Sequence, residues 1–116
     1  MLKISLDESY VFDILSIYEL KIDKSTEDKK ETLKQSYQVL EDEIISQIGK
    51  DNYLEIKGSN EYNSLLLSNT QVFDLVDRAN ESELSKITAD ANYERYLHKI
   101  SLQKRFFVTE NTEVKI

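Results

Sequence analysis

Cysteine, proline and tryptophan are absent from this chain of 116 residues, glycine occurs twice and histidine once. Without cysteine there are no disulfides, thiolate zinc sites, iron–sulfur clusters or thiol nucleophiles. A single histidine, His98, cannot build a multi-histidine metal site, and no Ser-His-Asp set can be assembled around it from spacing alone. Only Gly49 and Gly58 are available for turns, too few for a hairpin-rich sheet, so long helices are expected and a glycine-rich phosphate loop is excluded. No window approaches about 18 uncharged apolar residues. The opening MLKISLDESY lacks the apolar run and small-residue cleavage site of a signal peptide, which makes a cytoplasmic protein with no membrane contact the expectation.

What is present is 40% hydrophobic and 32% charged, too apolar for disorder and enough for one core, so a single helical domain over residues 1–116 is expected. A net charge of −7 weighs against nucleic acid as a partner, because such binding rests on neutralising phosphates.

Periodicity predicts four helices. Ser5-Leu6-Asp7-Glu8 has the form of a capping box, with Ser5 as cap and Glu8 reaching back, before a first helix over about 6–24. In the second, opened by Ser25 or Thr26 and stopped by Gly49, Leu33, Tyr37, Leu40, Ile44 and Ile48 recur at spacings of four and three. The third starts near Ser59 and carries Tyr62, Leu65, Leu66, Asn69, Val72, Phe73 and Val76. The fourth, opened by Thr88 or Asp90 and ending near 107, carries Ala89, Tyr93, Tyr96, Leu97, Ile100 and Phe107. The segment 51–58 is ambiguous, and the tail from about 108 is expected to be irregular. Stripes this narrow must pack on one another, so the fold class is all-α: a four-helix-bundle-like, antiparallel arrangement.

The first helix is apolar on two sides. Val11, Ile14, Leu15, Tyr18 and Ile22 form its main stripe, while Ile17 and Leu20 lie on the far side in line with Asp13. Such a helix belongs at the centre, which places Asp13 and Ser16 at a seam where a carboxylate needs a partner. The natural donors are the cations of the fourth helix. Residues 95–107, RYLHKISLQKRFF, hold Arg95, Lys99, Lys104 and Arg105 and no acid, a block of +4 in a chain of −7. Arg95, His98, Leu102 and Arg105 fall opposite that helix's apolar stripe, so a basic face is expected to answer the protein's own acids or to meet an anion.

Other acids repeat at i, i+3. Asp74 and Asp77 are the better pair, because Asp77 borders the stripe of the third helix. Asp28 and Glu31 sit in a first turn, where acids simply favour the helix dipole. All-α nucleotide pyrophosphatases hold magnesium with two acidic pairs, but the ExxE partner motif they need is missing, so neither a metal nor a cofactor is expected. Asn69, in mid-stripe, is expected to fix packing register, and the tyrosines to be core residues with accessible hydroxyls.

Three stretches resemble an uncharacterised family of small all-helical bacterial and phage proteins. Asp13-Ile14-Leu15-Ser16-Ile17-Tyr18-Glu19-Leu20-Lys21 is similar to D-K-[LI]-T-I-L-E-I-K and keeps the Asp, the hydroxyl, the Glu and the Lys. Asn69 to Asp77 is similar to N-x-x-L-W-x-I-E-D, with Phe73 for the tryptophan. Tyr93 to Lys99 is similar to V-Y-x-x-N-D-x-R, with Tyr96-Leu97 for Asn-Asp and Lys99 for the arginine. The family has no established activity; some members lie near surface-polysaccharide glycosyltransferases. The resemblance implies one polar constellation through the bundle, made of Asp13, Ser16, Glu19, Lys21, Asn69, Asp77 and Lys99, to which charge placement adds Asp74 and Arg95.

The expected function is a non-catalytic interaction or accessory module, a homo-oligomer (dimer) or partner of another protein, because the stripes exceed what four short helices bury in one copy. Two alternatives are a binder or hydrolase of a nucleotide or sugar-phosphate that uses those acids and the basic face, and a host-directed phage protein.

Overall fold

The structure, a computed structural model, describes residues 6–78 and 81–107, without the side chains of 77, 78, 81–85 and 87. Among the described residues all regular structure is helical: α1 Glu8–Lys24, α2 Glu27–Ile48, α3 Lys50–Lys57, α4 Asn60–Arg78 and α5 Glu81–Phe106. The fold is all-α, with five helices where four were expected. The ambiguous segment forms α3, and the last helix begins seven residues or more before Thr88 or Asp90. Residues 81–87, ESELSKI, are mostly polar and offer only Leu84 and Ile87 as apolar positions, yet they contain no proline or glycine to stop a helix. Ser5 and the tail from 108 lie outside the described residues.

Local chemistry sets the joints. Asp7 holds the N-cap position of α1, and Glu8 accepts from Gln103 Nε2 at 2.8 Å. Thr26 holds the N-cap position of α2. Gly49 ends α2 at φ +87°, ψ 154°, a region essentially reserved for glycine, and its N–H donates to the Ile45 carbonyl at 2.8 Å. Ser59 caps α4 by accepting from the Tyr62 N–H at 3.1 Å.

α1 packs on α2, α4 and α5, while α3 bridges α2 to α4 and α4 lies along α5. Contacts such as Ser9 with Gln103 and Asp13 with Arg95 run in opposite chain order, so α1 is antiparallel to α5. The core joins Phe12 and Leu15 of α1, Ile44 of α2, Tyr53 and Ile56 of α3, Tyr62 of α4 and Leu102 of α5. Phe12 is its hub, with ring centroids of Tyr53, Tyr62 and Phe107 at 6.1–6.3 Å.

Two helices are turned otherwise than their stripes predict. The deepest face of α1 is Phe12, Asp13, Leu15, Ser16 and Leu20, whereas Val11, Ile14, Tyr18 and Ile22 of the expected main stripe are half-buried. The rotation is larger in α5. Leu102, Ala91 and Arg95 point inward, while Tyr93, Tyr96 and Leu97 are 63%, 54% and 47% exposed. Most of the stripe expected to be core faces out, though Phe107 packs on Phe12, and Arg95 and Leu102 of the face expected to be free and basic turn in, while Arg105 stays exposed. Electrostatics supplies the reason: the inward rotation brings guanidinium and ammonium groups to a carboxylate that α1 has already taken out of water.

Candidate functional site

Two of the carboxylates of α1, Asp13 and Glu19, lie six residues apart, and each collects a separate polar cluster. Asp13 is 3% exposed. Its Oδ1 accepts from Asn69 Nδ2 at 2.9 Å, and its Oδ2 accepts from Arg95 at 2.7 Å with the Lys99 ammonium 3.9 Å away. The Asn69 amide nitrogen also donates to Ser16 Oγ at 2.7 Å, and Ser16 in turn donates to the Asp13 carbonyl at 2.7 Å. Three helices thus meet on one carboxylate. The amide orientation follows from the network, since the flipped form would set oxygen against carboxylate. Arg95 reaches Asp13 through one nitrogen rather than as a fork, and its enclosed Nε has no hydrogen-bond partner among the described residues. Lys99 also lies over the Tyr10 ring, 5.7 Å from its centroid.

The second cluster forms around Glu19, half-buried at the α1–α2–α3–α4 junction. Its carboxylate accepts from Lys57 of α3, from Tyr37 of α2 at 3.2 Å and from Tyr62 of α4 at 2.6 Å. Lys57 also donates to the Tyr37 hydroxyl at 2.8 Å and lies over the rings of Tyr37 and Tyr62. Tyr53 donates to Glu41 at 2.5 Å and lies 3.5 Å from the Tyr37 hydroxyl. Burial, reinforced by the hydrogen bond to Glu41, pushes the Tyr53 phenol far above its usual range. Burial and the bond to Glu19 do the same for Tyr62. For Lys57, burial pulls the pKa down, but the hydrogen bonds to Glu19 and Tyr37 outweigh it and leave the ammonium above its ordinary value.

The constellation expected to be one is therefore divided. Asp13, Ser16, Asn69, Arg95 and Lys99 converge. Glu19 belongs to the other cluster, Lys21 is exposed on α1, and Asp74 meets Lys24 at 3.5 Å on the surface. Asp77 lies on α4, and its side chain is outside the described set. The cations of this helix, expected to answer the protein's own acids or to meet an anion, do the former at two positions: Arg95 turns to Asp13, and Arg105 pairs with Glu61 at 2.5 Å.

Sequence reasoning missed Lys57 and the carboxylate bonds of Tyr37, Tyr53 and Tyr62. Tyr37 and Tyr62 both belong to apolar stripes, which signals a polar atom in the core. Lys57 carries no such signal, being one cation in a segment without clear periodicity. Two open grooves flank the clusters. One, about 540 Å³, runs between α1 and α2 beside Ile14, Tyr18, Val39 and Leu40, and a second, about 290 Å³, lies between α4 and α5 beside Val72, Leu75, Asp90 and Glu94. Neither is lined by a residue of the Asp13 cluster. Among the described residues, no helix is long and apolar enough to cross a membrane, and no three His, Cys, Asp or Glu side chains gather as metal ligands.

No family model, curated protein or solved structure gives a significant match to the chain, so the reading of the site rests on its own geometry.

Proposed function

We propose that this protein is a non-catalytic helical interaction module that associates with a second copy of itself, and that its polar clusters are internal fasteners. The observation that carries this reading is apolar surface left uncovered. The radius of gyration is 15.5 Å, against roughly 13 Å for a compact domain of this length, and Leu67, Leu75, Val39, Tyr93, Tyr96 and Leu97 all stand in solvent. Contiguous apolar surface marks contact with another macromolecule, and Tyr93, Tyr96 and Leu97 adjoin at helical spacing on α5. The clusters support the same reading, because each carboxylate meets its donors within the fold and neither groove opens on Asp13.

A thermal-shift panel of nucleotides, sugar nucleotides and divalent cations tests the non-catalytic part. A ligand at 100 times its dissociation constant adds about 2.7 kcal/mol to stability, and the module reading expects no such gain from any member of the panel. A gain that disappears in Arg95→Met would instead establish a ligand site at the Asp13 cluster. Sedimentation equilibrium tests the second part, with an expected mass approaching twice the 13.6 kDa of one chain at tens of micromolar.

A further inference from the structure

α5 presents two unlike faces, and the inner one is accounted for by the core and by Asp13. The outer one carries Tyr93, Tyr96, Leu97 and Ile100 at i, i+3, i+4 and i+7, one continuous stripe at 3.6 residues per turn. Three of the four are about half exposed or more, and Ile100 is half-buried between them. α1 flanks the stripe on one side, where Gln103 and Lys99 meet Glu8 and Tyr10. α4 flanks it on the other, where Asp90 and Glu94 line the groove with Val72 and Leu75. Nothing among the described residues crosses the stripe itself.

Charge on this outer face is ordered. Asp90 lies one turn before the stripe and Lys104 one turn after it, both exposed. Lys86, one turn earlier still, is exposed as well.

We propose that the outer face of α5 is the self-association surface, and that two copies pack α5 against α5 antiparallel about a two-fold axis at Leu97. This rests on the self-association reading above and assigns it a place and a register. The argument is self-complementarity. A two-fold axis at Leu97 brings residue i opposite residue 194 − i of the second copy, so Asp90 of each copy faces Lys104 of the other. In the same register Tyr93 lies opposite Ser101 and within one residue of Ile100 of the second copy, and Leu97 packs on its own symmetry mate. Lys86 falls opposite position 108 of the second copy, outside the described residues. A parallel pairing would set Asp90 against Asp90 and Lys104 against Lys104, so the pattern selects the antiparallel form. Aromatic residues at the centre with charge at the ends is also the usual anatomy of a protein interface. One helix from each side covers less than the roughly 800 Å² per partner of a standard interface, so the dimer is weak, with a dissociation constant in the micromolar range.

The test uses the full chain in sedimentation equilibrium, with circular dichroism and thermal melts to show that each variant folds. Leu97→Glu sets two carboxylates together on the axis at a position that contributes little to the monomer core, and it raises the dissociation constant at least about tenfold. Asp90→Lys or Lys104→Asp alone places like charges at both ends and weakens the dimer about fivefold, whereas the double swap restores it to within about twofold. A wild-type chain that stays monomeric at hundreds of micromolar overturns both this proposal and the self-association reading. A wild-type dimer untouched by Leu97→Glu overturns the α5 assignment alone and leaves that reading standing. If Leu97→Glu disrupts the dimer but the double swap is no better than the single swaps, the antiparallel register is overturned.

Discussion

Asp13 and Glu19 share a helix, yet the protein neutralises them in different ways. Asp13 is almost fully enclosed and is held by a guanidinium, an ammonium and an amide from α4 and α5. Glu19 keeps 27% of its side chain in solvent and is held by one ammonium and two phenols from α2, α3 and α4. Between them the two acids bind α1 to every other helix. The difference shows how the cost of a buried charge scales with enclosure: the nearly dry carboxylate has two cations and an amide around it, whereas the one at the rim has one cation and two phenols.

The comparison is broken most severely at Arg95. Arg95→Met leaves a dry carboxylate with only Asn69 and a distant Lys99, and urea denaturation should show a loss of about 3 kcal/mol. A loss below about 1 kcal/mol would mean that Asp13 does not depend on its guanidinium partner. Asn69→Leu strands both Asp13 Oδ1 and the Ser16 hydroxyl and is expected to cost about 2 kcal/mol. In the Arg95→Met background its cost should change by 0.5 kcal/mol or more, on the order expected for two groups on one carboxylate, whereas strict additivity would show that the contacts act independently.

At the more open acid the effects shrink. Glu19→Gln keeps the shape but removes the charge beside Lys57, for an expected loss of about 1.5 kcal/mol. Tyr62→Phe is expected to cost about 1 kcal/mol at neutral pH. It also sharpens the comparison at alkaline pH. The Tyr53 and Tyr62 phenols and the Lys57 ammonium all have folded pKa values raised above their unfolded ones. Their contribution is therefore complete below about pH 10, where the unfolded groups keep their protons, and is lost as pH rises beyond it. The wild type should unfold in a cooperative alkaline transition, with the last phenolate absorbance appearing together with loss of helical dichroism. Tyr62→Phe should lose less stability than wild type between pH 9 and 12; an equal loss would place the alkaline sensitivity elsewhere.

The two faces of α5 show where legibility ended. Asp13 needs a partner because it lies in line with Ile17 and Leu20 of a two-sided helix, and that much is visible in the chain, as are the stop at Gly49 and the oddity of Asn69. The orientation of α5 is not visible. Its apolar residues are spread around the helix, with Ala91, Leu102 and Phe106 on one side and Tyr93, Tyr96, Leu97 and Ile100 on the other, so periodicity gives no unique inward face. The larger stripe is the natural choice on hydrophobic area, and the structure takes the smaller one because only that side carries Arg95 and Lys99 to Asp13. Lys57 was hidden for a related reason: its partner, Glu19, is 38 residues away in the chain.

The amino-acid sequence alone determined the helical class, the ends of α2 and the presence of an acid that could not stand unpaired, because helix periodicity, glycine stereochemistry and the cost of desolvation act locally or along one helix. Which helix faces turn inward, and which cation answers which carboxylate, were decided only in the tertiary structure. Those choices depend on groups 38 to 82 residues apart meeting at hydrogen-bond distance, and no local pattern encodes that distance.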